Sequence, residues 1–258
     1  MTTSKQKRLK SDMGSSTADR ITVRGHDLVK DLIGKVSLGD MAFLELKGRL
    51  PTSKESTMFN AIAVTLVEHG MTPSAIAARM TYLGAPESVQ GAVAAGLLGI
   101  GDRFGGSVEE AARILQEALG GSDRDAADLD ELARRIVATH KERKRPIAGL
   151  GHPVHKPVDP RAERLFAIAS ETGYSGRFVE LMKAISVEAA KTHGRELPVN
   201  ATGAIAAIAS ELDIPWQVSR GLAVMARAIG LVGHIQEELQ EPLASEIWSR
   251  IDEESSSH

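Results

Sequence analysis

His152 stands in the run Gly149-Leu150-Gly151-His152-Pro153-Val154-His155-Lys156, the one stretch where the helical pattern of the chain breaks. Two glycines just ahead of an imidazole allow a turn that exposes backbone N–H groups to a ligand and sets a group titrating near neutrality beside them. The chemistry on offer is proton transfer next to a bound ligand. The ordinary alternative is a loop joining two helices, with His152 hydrogen-bonded to backbone. His152 and His155 also form an H-x-x-H pair, but no third ligand accompanies them, so no metal site is expected. Arg161 follows nine residues later, and Arg227 sits inside an apolar stretch. Either guanidinium offers a planar fork for a carboxylate. Their ordinary alternatives are a surface position and a structural ion pair, although an arginine in so apolar a helix has to find some anion.

These residues need elements to position them, and the signals are helical. Thr52 and Glu55 make a capping-box pattern, followed by Phe59, Ile62, Ala63 and Leu66 on one face. Thr72-Pro73 starts a second helix that Gly84 ends. Ser107 and Glu110 read as another capping box, ahead of Val108, Ala111, Ala112, Leu115 and Leu119. Leu129, Leu132, Ala133, Ile136 and Val137 give the next stripe, which runs into the basic segment His140-Lys141-Glu142-Arg143-Lys144-Arg145. Asp159-Pro160 restarts a helix up to Gly173. Two long apolar helices are expected near 201–212 and 216–239, the second dotted with Gly221, Gly230 and Gly233, as close packing or a subunit contact requires. The only strand candidate is Ile21-Thr22-Val23-Arg24.

Composition agrees. Hydrophobic residues make up 42% of the 258-residue chain, yet aromatics only 3%, which favours closely packed helices over a sandwich or barrel. The fold class expected is all-α. The absence of cysteine excludes disulfide frameworks, thiolate metal sites and cysteine nucleophiles, and it is compatible with a cytoplasmic location. Residues 1–20 lack the apolar segment of a leader and read as a flexible tail. No membrane span is expected, because the apolar run 222–235 is short and interrupted by Arg227. A formal net charge of −3 provides no basic field for nucleic acid.

The segment from Gly149 to Lys156, with Asp159-Pro160-Arg161 behind it, resembles the catalytic-histidine signature of the citrate synthase superfamily. Gly101-Asp102-Arg103-Phe104-Gly105-Gly106 is similar to the corresponding segment of the citrate-cleaving module of ATP-citrate lyase, with Phe104 where citrate synthases place a histidine. Arg24-Gly25-His26-Asp27, Glu68-His69-Gly70 and the run from Met225 to His234 fall in family order, so the resemblance covers about residues 21–248. The short length is most like stand-alone citryl-CoA lyases. The resemblance implies a citrate synthase-like fold: a large helical domain (21–104 and 204–258), a smaller inserted helical domain (105–203), and an active site in the cleft of a homodimer or dimer of dimers. It implies a coenzyme A thioester as substrate and no permanently bound cofactor.

By the same resemblance His152 exchanges a proton with the hydroxyl of a citryl group, His69 hydrogen-bonds the four-carbon acid, and Arg161 and Arg227 clamp its carboxylates, with Phe104 at the substrate. Gly149, Leu150, Gly151, Arg143, Arg145 and Lys156 would meet coenzyme A, although a basic run is also an ordinary solvated face. In Pro198-Val199-Asn200-Ala201-Thr202-Gly203, Thr202 occupies the place of the family's catalytic aspartate. A hydroxyl with no ionisable proton near pH 7 cannot act as that general base. Two groups remain to handle the acetyl enolate: backbone N–H donors of residues 149–151, or a water held by Thr202. The functions this implies are reversible cleavage of citryl-CoA to acetyl-CoA and oxaloacetate, a citrate or 2-methylcitrate synthase-type transfer, or a non-turning-over paralogue that binds coenzyme A and an oxo acid. Arg250 is a candidate for the arginine that synthases lend to a partner's site.

Overall fold

The computed structural model describes residues 11–102, 106–120, 126–151 and 157–256. The chain divides into two units, residues 1–60 and 61–258. In the first, β1 (Gly14–Ser16), β2 (Ile21–Val23) and β3 (His26–Asp27) form an antiparallel sheet in that order. The strand at Ile21 matches expectation; β1 lies in the segment read as tail and is held by pairing Gly14 with Val23. Arg24 and Gly25 turn β2 into β3 with φ of 49° and 84°, the doubly positive pattern of a type I′ hairpin. Asp27 then caps a single π-helical turn, Leu28–Leu32, by accepting from the N–H groups of Val29 and Lys30. Helix α1 (Leu38–Lys47) runs from its Ser37 cap to Gly48 and buries Phe43 edge-on against Phe59, with ring centroids 5.5 Å apart.

Helix α2 (Ser53–Val67) opens with the expected capping box: the Glu55 N–H donates to Thr52 Oγ1 at 3.3 Å, and the Thr52 N–H donates to Glu55 Oε2 at 2.8 Å. Within residues 61–258, α3 (Pro73–Gly84) and α4 (Val89–Leu98) form a tight pair in which Ser74 Oγ donates to the Gly96 carbonyl at 2.5 Å. Helices α5 (Ser107–Ala118), α6 (Leu129–Glu142), α7 (Pro160–Thr172) and α8 (Arg177–His193) surround α9 (Ala201–Glu211) directly or through one another: α5, α7 and α8 pack on α9, and α6 packs on α8. Apart from Thr202, every α9 residue up to Ser210 is buried, as an all-round apolar helix requires. The 203/204 domain boundary expected from sequence falls inside this helix.

Helix α10 (Trp216–Gln240) packs on α3, α4 and α5, and α11 (Ala244–Ser256) packs on α3. Sequence reading underestimated the apolar span of α10; its length and mean hydropathy of 1.2 would suffice for a membrane crossing. Leu222, Ala226, Leu231 and His234 form its buried face. The second capping box does not form. Gly106 occupies the N-cap of α5 without a side-chain bond, Glu110 pairs with Arg113, and the Ser107 hydroxyl turns to Thr202.

Candidate active site at the start of α9

The backbone that leads into His152 is fastened to the N-terminus of α9. Gly149 adopts φ +90°, and its Cα lies so near Gly203 that a Cβ on either residue would come within 3 Å of the other's backbone. Only glycine permits that approach. Bonds follow from it: the Asn200 N–H donates to the Gly149 carbonyl at 2.9 Å, the Gly151 N–H donates to the Pro198 carbonyl at 2.7 Å, and Asn200 Nδ2 donates to the Gly151 carbonyl at 2.7 Å. Leu150 pairs with Val199 as an isolated antiparallel bridge. Its N–H points back to the Ile147 carbonyl at 3.4 Å. Two of the three N–H groups expected to face a ligand are therefore engaged within the protein.

Asp159 ties the same place to α7. It is 1% exposed and accepts from the Arg161 N–H (3.0 Å), from Arg161 Nε and Nη2 (3.0 and 2.9 Å) and from the Ala201 N–H (2.9 Å). Burial pushes this carboxyl up, but the guanidinium and the two N–H groups outweigh it and hold Asp159 below its ordinary value. Four donors saturate the carboxylate, so Asp159 is not a spare base. Arg161 is therefore neither the lone surface side chain nor the wholly free clamp that sequence left open. Asp159 aligns its fork, and its side chain stays 28% exposed.

Thr202 faces Ser107 across α9 and α5. Thr202 Oγ1 donates to Asn200 Oδ1 at 2.7 Å, and Ser107 Oγ donates to Thr202 Oγ1 at 3.1 Å. The Gly203 N–H also donates to Asn200 Oδ1, which completes the N-cap. Next to Ser107 the Gly106 N–H donates to the Gly101 carbonyl at 3.0 Å. Arg220 of α10 pairs with both Asp102 (2.7 Å) and Glu109 (2.6 Å). Sequence reading missed Ser107, Asn200 and Arg220 as site-building residues. The available signal was the N-x-T spacing of Asn200 and Thr202 at a helix start.

A second polar cluster lies where α2 ends. Arg79, 1% exposed, donates through Nε to His234 Nδ1 (3.2 Å) and through Nη1 to Glu238 Oε2 (2.6 Å), and its Nη2 also pairs with Glu237. A guanidinium has no acceptor, so His234 Nδ1 carries the lone pair and Nε2 carries the proton. That N–H meets Glu68 at 3.0 Å. Glu68 in turn accepts the N–H groups of His69 (2.8 Å) and Gly70 (2.5 Å). Burial raises the Glu68 carboxyl, but those backbone donors and the hydrogen bond from His234 outweigh it, leaving it below its ordinary value. His69 is thus held by its backbone on an exposed turn.

Arg227 is within reach only of weak acceptors, Leu66 O and Thr72 Oγ1, each at 3.4 Å, and among the described residues no carboxylate pairs with it. Burial lowers its pKa while the Glu68 charge works against that. Among the described residues Arg227 has no ion-pair partner, which leaves a half-buried cation without a paired carboxylate there. Arg250 instead pairs with Glu246 on the surface of α11.

Arg143 and Arg145 are exposed just past α6 and make no ion pair among the described residues. Lys144 between them has φ 52°, a left-handed position where glycine is usual, and is exposed as well. Phe104, His152, His155 and Lys156 lie outside the described residues.

Comparison with known proteins agrees with this architecture. Residues 46–248 match the family model for citrate synthase, C-terminal domain. The solved citryl-CoA lyase from Hydrogenobacter thermophilus is 36% identical, with a TM-score of 0.81 over 91% of this chain and 88% of that one. An ATP citrate lyase from Methanosaeta concilii, solved with (3S)-citryl-CoA, shares the fold at 20% identity, with a TM-score of 0.73 over 92% of this chain and 40% of that one. ATP-citrate synthase beta chain protein 2 of Arabidopsis thaliana is 28% identical over 235 residues, 83% of this chain. The chain spans only 37% of that relative's length. With 36% identity along most of a family member and the family model matched over most of its residues, the chain belongs to the citrate synthase family.

Proposed function

We propose that the protein is a citryl-CoA lyase, cleaving the C–C bond of citryl-CoA reversibly to acetyl-CoA and oxaloacetate. The observation that carries this reading is the 36% identity to a citryl-CoA lyase across 88% of that enzyme's length. In the proposed reaction His152 removes the hydroxyl proton of the citryl group, a task suited to an imidazole titrating near neutrality. Arg227, without a paired carboxylate among the described residues, receives one carboxylate of the leaving oxo acid; Arg161, aligned by Asp159, receives another; His69 adds a hydrogen bond. Arg143, Arg145 and Lys156 meet the phosphates of coenzyme A. Gly149, Leu150 and Gly151 form the wall beneath the thioester, and Phe104 lies against the substrate.

On the same reading residues 105–203 would form a smaller helical domain and 21–104 with 204–258 the larger one. Exposed Val218, Met225, Ile229 and Val232 on α10, between 39% and 51% accessible, support a homodimer or dimer of dimers, since such a face is rarely left to water. The match to a citrate synthase model keeps condensation with thioester hydrolysis as the second reading.

The test is oxaloacetate release from citryl-CoA by the purified protein and by His152→Ala, with coenzyme A ester binding followed by calorimetry. Binding retained and the rate lowered by about 10²–10⁴ is expected. Full activity in His152→Ala would remove the proton-transfer role, and a parent protein that binds no coenzyme A ester would remove the function.

A further inference from the structure

We infer that Ser107 and Thr202 together hold a water molecule that delivers the proton to the acetyl carbon during cleavage. This deepens the lyase reading and rests on it.

The direction of each hydroxyl proton is determined by Asn200. Its Nδ2 donates to the Gly151 carbonyl and its Oδ1 accepts the Gly203 N–H, so the amide has a single orientation and Oδ1 is only an acceptor. Thr202 must therefore point its proton at Oδ1, at 2.7 Å. What it turns to Ser107, at 3.1 Å, is a lone pair, and Ser107 spends its own proton there. The chain ends on hydroxyl lone pairs, and both residues are partly accessible. A pair of acceptors takes a donor. It cannot donate to an enolate oxygen without breaking the Thr202–Asn200 bond, so Thr202 is no oxyanion-hole member. The 149–151 loop has already spent two of its N–H groups, and Asp159 is saturated. Water is the donor that fits, because it gives one hydrogen to the hydroxyl pair and keeps the other for the substrate.

The proton count closes. His152 takes the hydroxyl proton as the C–C bond breaks, and that bond's electron pair becomes the thioester enolate. The enolate carbon forms a C–H bond with a proton from the water. The hydroxide left behind recovers a proton from the His152 imidazolium directly or through solvent. Carboxylate chemistry is replaced by water, which is acidic enough for a strongly basic enolate.

The experiment compares the parent protein with Ser107→Ala, Thr202→Val and Thr202→Ser, measuring oxaloacetate release from citryl-CoA, its solvent deuterium isotope effect, and the affinity for acetyl-CoA. Ser107→Ala and Thr202→Val should each lose about 10²-fold in rate, with affinity unchanged and an altered isotope effect. Thr202→Ser should retain most of the rate, and it guards against mere misfolding of the valine variant. An active parent whose Ser107→Ala variant keeps both the rate and the isotope effect overturns the water site and leaves the lyase intact. Loss of acetyl-CoA affinity in Ser107→Ala, with the rate at saturation unchanged, also overturns it, assigning the acceptor pair to an amide of the coenzyme A arm. A parent that binds the ester but releases no oxaloacetate removes the lyase reading and this proposal with it.

Discussion

Gly203→Ala tests whether the contact between α9 and the 149–151 loop positions the site. Helix propensity alone makes the substitution favourable by about 1 kcal/mol, since alanine is the better helix former. The contact reverses the sign. The new Cβ would meet the Gly149 carbonyl oxygen at 2.4 Å, the Gly149 Cα at 2.9 Å and Met182 Cε at 2.9 Å. Met182 can swing aside, but the Gly149 backbone is pinned by its bond from the Asn200 N–H and by the Leu150–Val199 bridge. Overpacking of this kind costs about 1–3 kcal/mol beyond the propensity gain. For a chain of this size each kcal/mol corresponds to about 2–4 °C in Tm. Relief requires the loop to move by roughly 1 Å, a displacement that lowers catalysis by about 10²-fold when it misplaces a reacting group. Gly84→Ala, where nothing lies within 4 Å of the new Cβ, is the control. Thermal unfolding by circular dichroism should show Gly203→Ala less stable and Gly84→Ala unchanged or slightly more stable. Cleavage should fall only in Gly203→Ala. A Gly203→Ala protein as stable and active as the parent would refute the close approach and every positional inference drawn from it.

Thr202→Asp should not simply restore a base. A carboxylate there faces Asn200 Oδ1, an acceptor already fixed by two other bonds, so its pKa is pushed up. The sign follows: the variant's stability deficit is smallest at low pH, where the carboxyl is protonated, and grows as pH rises through the folded value, which denaturant titrations at pH 4 and pH 7 will read. Arg79→Met should cost about 3–5 kcal/mol by leaving Glu238 buried without its partner, and it should raise KM for the acid by freeing Glu68 and the His69 turn, as chemical unfolding and steady-state kinetics will show. Glu55 is held down to about 2 by the Arg49 hydrogen bonds, against its burial, from an ordinary 4.5. Its contribution is complete above about pH 5, declines as pH falls through the unfolded value and is gone below the folded one. With Arg49 half exposed it amounts to about 1 kcal/mol, so Glu55→Gln should flatten the acid limb of the stability profile by that much.

Helix ends marked by a side-chain cap were readable from sequence: Thr52, Thr72 and Asp159 each do what their type and spacing suggest. A cap alone was not enough: α1 and α4 are capped by Ser37 and Ser88 yet were not readable, whereas α10 was readable although Pro215 gives it no side-chain cap. Helix α8 starts after Gly176, which has no side chain to cap it, so its first N–H groups are met by the distant Glu211, although its buried Phe178, Met182 and Ile185 carry a helical repeat that would have revealed it. Helix α4 is small and apolar on every side, so periodicity has nothing to contrast. Ser107 shows the opposite failure, because a serine at the right spacing from Glu110 looks like a cap until a better partner, Thr202, is supplied by a helix nearly a hundred residues away. The sequence singled out Gly149, Gly151, Arg161 and Arg227 as residue types of a candidate site. Its wiring was not legible, because Asp159 and Asn200 act through backbone groups that only the packing of α7 and α9 brings together.

Product analysis on citryl-CoA tests the proposed chemistry most directly. Mass spectrometry of the quenched reaction separates acetyl-CoA with oxaloacetate, the products of C–C cleavage, from citrate with free coenzyme A, the products of thioester hydrolysis. The expected result is acetyl-CoA and oxaloacetate in equal amounts, with one solvent deuterium in the acetyl methyl group when the reaction is run in deuterium oxide. Citrate and free coenzyme A as the dominant products, or intact citryl-CoA after prolonged incubation with a protein that binds it, would contradict it.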